Sequence, residues 1–334
     1  MTAGTTKPAL TDSRISLAAA EFVWSNPERL LPQPNRAMIS ILILTKNEEQ
    51  NLPGCLASVS WSDDIHVYDS HSSDRTVEIA EAAGARVTRR PAGALGGIFF
   101  GGNEAEHKNW GIHYIPFKHP WVFHLDADER VTPELAANLQ RAAATPGDKV
   151  AFRVQRRDFA WGCWLKHVQV SPFYLRLFRP EKMRYARLIN PVSTPDGPVG
   201  DVSGYLNHFP FSHGVSHWLE RHNAYSTLEA RQAIQNLRAE TAFSIKKAFF
   251  ARDFHERRFH QKALFYRIPG RPVWKFLLLY FAKRGFLDGR AGLAYAVLQS
   301  FYEYLIVLKT RELNNKTCHR DTEAQSNWSI STLN

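Results

Sequence analysis

Apolar and polar positions along the chain fall into short runs of alternating kind. Ile39-Ser-Ile-Leu-Ile-Leu44 is a branched apolar run, the mark of a strand buried on both faces. A helix is predicted from Glu48 to Ser58, with Asn47 as its cap and Leu52, Leu56 and Val59 on one face. Asp64-Ile-His-Val-Tyr-Asp69 is a second strand. Asp74 caps a helix from Thr76 to Ala83 that Gly84 ends, and Ala85 to Thr88 is a third strand. A Gly-rich loop from Gly93 to Gly102 leads to a helix over 103–114 and a strand Trp121-Val-Phe-His-Leu125. Thr132-Pro133 opens another helix, a cap residue followed by proline. Strands alternating with helices imply crossover connections and a mainly parallel sheet.

From Val150 the pattern changes. Phe152–Arg156 and Tyr174–Phe178 read as strands beside an aromatic-rich layer. From Ser216 it is helical, with further helices near Val273–Arg284 and Gly292–Leu308 and a turn at Gly285–Gly289. The expected organisation is a loose arm over 1–37, an α/β catalytic domain over 38–215, a helical extension over 216–315 and a tail over 316–334.

Composition sharpens this picture at two points. From Asn236 to Arg320 there are 17 Lys+Arg against 6 Asp+Glu, so the net charge of +10 resides wholly in the helical tail. Such a tail suits nucleic acid, an anionic membrane or a solvated face. Its cations alternate with Phe, Leu and Tyr runs, which suits a membrane interface at least as well as nucleic acid. Ala291–Leu308 is the most apolar stretch, but Gln299 and Glu303 within it argue against a membrane span. Three widely spaced cysteines fit a reducing compartment, and no signal peptide is expected.

Ligands of parallel sheets bind beyond the carboxyl ends of the strands, and the acids collect there. Asp69 ends the second strand and is placed to accept hydrogen bonds from a nucleobase or ribose. Asp126 and Asp128, in Leu125-Asp-Ala-Asp-Glu129, follow the fourth. Two carboxylates so spaced can share a hard cation, which would offset charge on a diphosphate leaving group. Thr45-Lys-Asn-Glu48 carries no GxGxxG, against a nicotinamide or flavin enzyme, and no phosphate-binding loop. A nucleotidyltransferase would need a Gly- and Lys/Arg-rich loop there. His208, His213 and His217 form a local cluster, and Arg176 and Arg179 flank an apolar strand where they could bind phosphate.

Ile39–Glu48, Val67–Glu78 and Leu125–Glu129, in this order, resemble the motifs of family 2 glycosyltransferases. The similarity is greatest to the bacterial branch that builds lipopolysaccharide cores and exopolysaccharides. It extends through Arg153–Lys166, Phe173–Arg179, Leu206–Gly214, Trp218–Ser226 and Gly285–Gly292. The resemblance implies a GT-A fold, a nucleotide-sugar donor, Mg²⁺ or Mn²⁺, and inversion at the anomeric carbon. It assigns Thr45, Asn47, Glu48, Asp69, Lys108 and Asp126 to the donor, and Asp128, Asp126 and His208 to the metal. It also implies a lipid-linked saccharide acceptor. With the basic tail, that places the chain in the cytoplasm, on the inner face of an anionic membrane, without nucleic acid. One departure stands out: where the branch carries Val-His-Glu, this chain has Val192-Ser-Thr194. The candidates for the missing base are Asp196, in a Pro-Asp-Gly sequence that also makes a turn, and Glu129.

Overall fold

The computed structural model describes residues 39–90, 104–169, 171–186, 192–238, 244–251 and 267–331, with a few positions between 257 and 265. Side chains are described as far as residue 315. The expected arm, the Gly-rich loop and the side chains of the tail lie outside these residues.

The first strand, β1 (Ile39–Thr45), is buried at every position. Ile39, Ile41 and Ile43 pack with Leu52, Leu56 and Leu139 on one face of the sheet. Leu42 and Leu44 pack with Tyr68, Ile112 and Phe178 on the other. Two covered faces explain the unbroken apolar run. β1 pairs in parallel with β2 (Ile65–Asp69) on one side and with β4 (Trp121–Asp126) on the other. β3 (Arg86–Arg89) extends the parallel part beyond β2. The helices α1 (Leu52–Ser58), α2 (Thr76–Ala82), α3 (Glu104–Tyr114) and α4 (Pro133–Ala144) supply the covering layers.

Beyond β4 the sheet turns mixed. β5 (Glu129–Val131), β6 (Ala151–Ala160), β8 (Phe173–Phe178) and β11 (Val199–His208) complete the order β3-β2-β1-β4-β8-β6-β11-β5. β7 (Cys163–Trp164) pairs with β6, and β9 (Met183–Ala186) with β10 (Val192–Pro195) forms a separate hairpin. α5 (Gly214–Arg238), α6 (Ile245–Phe250), α7 (Arg271–Leu277) and α8 (Gly289–Ser331) follow.

Several expectations shift. α1 begins at Leu52, not Glu48, and Asn47 does not cap it. Asn47 sits at φ 57° and its side-chain oxygen accepts from Ser73 N at 2.8 Å. Asn tolerates this left-handed backbone, which ends β1 and ties its loop to that of β2. Asp74 accepts from Thr76 N, at 3.0 Å, but the cap position of α2 is Arg75, one residue later than expected. The helix near 273–284 is α7 followed by a π turn at 278–282, and the expected turn at Gly285–Gly289 is present as a 3₁₀ turn at 285–288. The expected boundary at 215/216 falls in the first turn of α5, inside one compact unit. There Leu165 and Val168 of the sheet side share a cluster with Trp218, Leu279 and Tyr295.

Residues 285–315 are long and apolar enough to cross a membrane by length and composition. Glu303, the charge that argued against a span, is buried and paired with Arg271 of α7 at 3.1 Å. The turn before α8 is held just as firmly. Asp288 accepts from the backbone N of His167 and Val168 and meets His167 Nδ1 at 2.6 Å. The Gly285–Gly292 motif is therefore a packing joint.

Candidate active site

Strand register brings the acids together. Thr45 lies opposite Asp69, and Leu44 opposite Asp126, so three neighbouring parallel strands end side by side. β1 is also where the strand order reverses, the usual ligand crevice of such sheets. After the Asp126–Asp128 turn, β5 runs back beside β11, which lies beside β6. His208 is opposite Glu129 on one side and Asp158 on the other.

These pairings create one chain of charges. His208 Nδ1 stands 2.6 Å from Asp158 Oδ1, and its Nε2 stands 3.3 Å from Asp128 Oδ2. Arg156 joins Asp158 at 3.0 Å and approaches Glu129 at 3.8 Å. Arg176 Nη2 reaches both Asp126, at 2.7 Å, and Glu129, at 2.6 Å. Burial opposes the charged form of His208, yet Asp128 and the hydrogen bonds to Asp128 and Asp158 raise its pKa to about 9. Burial would raise the pKa of Asp126, but Arg176 holds it well below the carboxylate range. Burial raises Glu129 to about 6, with Arg176 pulling the other way.

The donor set fits a hard divalent cation in part. Asp128 Oδ2 and His208 Nε2 converge, and Asp158 fixes the other ring nitrogen, as carboxylates do behind metal-bound histidines. Asp126 Oδ2 is spent on Arg176, while Oδ1 lies 3.6 Å from His124 Nε2. That nitrogen is buried without a hydrogen bond. Among the described residues no group of three His, Cys, Asp or Glu is gathered for a metal. A short protein set is the rule where substrate phosphates supply the remaining oxygens.

The other candidates divide. Lys108 pairs with Glu104 at 3.1 Å, lies over the Tyr185 ring and is close enough to Asp126 to help keep it ionised. Glu48 meets His213 at 3.0 Å and Asn51 at 2.8 Å. Asp69 is fully buried beneath its loop. It accepts from Thr45 Oγ1 at 2.9 Å and from Ser72 N at 2.9 Å, so it shapes the turn and presents no open face to a nucleoside. The histidine cluster divides its partners: His213 lies tilted against His217 and pairs with Glu48, while His208 pairs with Asp158 and Asp128.

Both catalytic-base candidates are corrected. Glu129 is fully buried; one oxygen is held by Arg176 and the other accepts from Asp126 N at 3.0 Å. It fixes the turn and cannot meet an acceptor hydroxyl. Asp196 sits past β10 with its side chain 82% exposed, ion-paired to Lys182 at 3.0 Å, and is not drawn to the other acids. Arg176 is corrected as well: its charge is used inside the site, not on phosphate. Arg179 lies over the Trp121 ring.

Sequence reasoning missed Asp158, Arg156, His124 and Tyr185. Tyr185 OH meets His124 Nδ1 at 3.1 Å, and Asn109 grips the Tyr185 backbone N and O. Asp158 lies just past the expected strand Phe152–Arg156, which continues to Ala160 as β6 of the main sheet and not of a second layer. Also missed was Arg221 of α5, which has a buried Nε without a hydrogen bond and helps keep Asp128 ionised.

Residues 40–205 match the family described as Glycosyl transferase family 2. A lipopolysaccharide core biosynthesis glycosyltransferase, LpsC, of Rhizobium meliloti is 27% identical, covering 81% of this chain and 91% of its own. An uncharacterized glycosyltransferase of Rickettsia typhi is 24% identical, covering 87% and 91%. Among solved structures, glucosyl-3-phosphoglycerate synthase of Mycobacterium tuberculosis, in complex with phosphoglyceric acid, is 19% identical over 43% of this chain and 57% of that one. Its TM-score is 0.33.

Proposed function

The chain carries a glycosyl transferase family 2 domain with the GT-A fold and is a glycosyltransferase; from that premise we propose that it moves a sugar from a nucleotide-sugar donor, with inversion, to a lipid-linked lipopolysaccharide or exopolysaccharide precursor. The observation that carries this reading is the Asp158–His208–Asp128 chain beside Asp126 at the strand ends.

In this reading Asp128 and His208, with Asp126 beside them, hold Mg²⁺ or Mn²⁺. The cation supplies charge compensation for the departing nucleoside diphosphate. Asp158 orients His208, and Arg176 keeps Asp126 ionised while Glu129 ties down the turn. Lys108 adds positive charge near the diphosphate. Thr45, Asn47, Glu48 and Asp69 build the paired loops on which the nucleoside rests. The relative named for lipopolysaccharide core biosynthesis supports the acceptor class. The basic tail supports work at the cytoplasmic face of a membrane.

A panel of UDP-, GDP-, ADP- and dTDP-sugars tests the reading, scored for metal-dependent hydrolysis and for thermal stabilisation. Hydrolysis of one donor class that stops with chelator and with Asp128→Ala is expected. Stabilisation by no nucleotide sugar, with or without Mn²⁺, would sink it.

A further inference from the structure

α8 carries two unlike faces. Tyr295, Ala296, Glu303 and Ile306 are buried, and α5 packs along the helix, with Lys309 bonded to Asn223 and Thr227. Leu293, Val297, Phe301, Tyr304 and Leu308 are each 40–50% exposed. Their spacing of four, four, three and four places them in one stripe. Arg290 and Arg311, both exposed, continue the same spacing at its two ends. α7 and the turn after it add Val273, Trp274, Leu278 and Phe281, which are 45–62% exposed. A run of this size on a soluble surface marks an interaction site.

Charge says what the site meets. Residues 271–311 hold seven Lys+Arg and two Asp+Glu. Both acids are turned inward, Asp288 onto His167 and Glu303 onto Arg271. Lys275, Lys283, Arg284, Arg290 and Arg311 have no ion-pair partner among the described residues. We propose that the exposed stripe of α8, together with the outer side of α7, lies flat on an anionic bilayer surface, its apolar groups in the headgroup boundary and its cations on the lipid charges. A second copy of the chain fits poorly, because a two-fold contact would oppose the same cations on each side. A spanning α8 fits poorly too, because α5 beside it would carry Glu220, Arg221, Glu229 and Arg231 into lipid.

This deepens the proposed reading, resting on it only for its purpose: α5 links the membrane face to the cleft, where Arg221 lies near Asp128. Binding itself needs no substrate, so the two can fail separately.

The test is flotation of the full-length protein with vesicles of neutral lipid alone or mixed with phosphatidylglycerol, at low and high salt. Wild type should float with the anionic vesicles at low salt and be released by high salt. V297E/F301E and R284E/R290E should each weaken binding at least about tenfold. Their nucleotide-sugar hydrolysis without vesicles should match wild type. Wild type that stays soluble with anionic vesicles, or binding unchanged in both variants, overturns the proposal. So does a dimer that F301E dissolves, which assigns the face to a second copy, or resistance to carbonate extraction, which assigns a span.

Discussion

His208 Nε2 stands 3.3 Å from Asp128 Oδ2, across the joint where β11 meets the turn after β4. Neither residue depends on the other for its fold, since Asp158 holds the histidine and the backbone turn holds the aspartate. Asp128→Ala should therefore keep the fold, with a lower melting temperature in chelator at neutral pH, because it removes the main support of the His208 charge. Its turnover should fall about a thousandfold or more, the scale of several kcal/mol of lost metal assistance. Steady-state hydrolysis of the preferred donor, with and without chelator, measures this. Near-normal turnover of the variant in chelator would show that Asp128 holds no metal.

The same pair sets a pH dependence. The metal-free pKa of His208, about 9, lies above its ordinary value of about 6.5. Its contribution to stability is thus fully present below about pH 6.5 and is lost as pH rises through about 9. In chelator, the stability difference between wild type and His208→Gln should shrink over that window. Metal binding should run the opposite way, because the cation must displace the imidazolium proton. Mn²⁺ affinity should rise about tenfold per pH unit below 9. A calorimetric titration with no such slope, or the same slope in His208→Gln, would remove His208 from the ligand set.

How far the sequence carried this site can be seen in five residues. Asp69 and Asp126 were legible because a buried apolar run announces a parallel strand, and the residue ending it must lie at the crevice. Arg176 was visible only as a cation in an apolar strand. Its partners are 50 and 47 positions away, and nothing local encodes their meeting. Glu303 shows the same limit: its charge weighed against a membrane span, but the cation that pairs with it lies in α7 and no local pattern announces it. Asn47 was read as a cap because cap and left-handed turn favour the same residue type. Patterns of hydrophobicity expose elements and their ends; pairings of buried charge appear only once the register is known.

Arg176 is the cation on which the carboxylate pair depends. Arg176→Met leaves Asp126 and Glu129 close together in a buried site without their shared counter-charge. The cost should be about 3–5 kcal/mol. Chemical denaturation above pH 7 should show it, and the deficit should narrow as pH falls towards about 6, because Glu129 without Arg176 is protonated at higher pH than in wild type. A pH-independent loss would mean that packing, not charge, is the role of this side chain.

The joint before α8 gives a prediction about folding alone. A Cβ at Gly292 would meet the Gly285 carbonyl oxygen at 2.0 Å, and backbone there cannot swing aside as a side chain would. Gly292→Ala should destabilise by about 1–3 kcal/mol, the range for an overpacked site. The strain should also loosen the Asp288 clamp on His167 and Val168. Faster amide exchange at residues 167 and 168 would report that loosening. A variant as stable as wild type would mean that the turn can relax.

The acceptor proton poses the sharpest question about the chemistry. Asp196 is exposed, paired with Lys182 and placed past the end of β10. Thr194, where the similar branch carries Glu, donates its hydroxyl to the Arg184 carbonyl across the β9–β10 hairpin. A group so situated steadies the hairpin and does not meet a sugar hydroxyl beside Asp126. Asp196→Asn should therefore keep turnover within about twofold of wild type, since exposed ion pairs contribute little. Its pH–rate profile should be unmoved. A loss of about a hundredfold or more, with an altered acid limb, is the signature of a missing general base. That result would require the hairpin to swing over the cleft during the reaction, and Asp196 to be the residue it delivers.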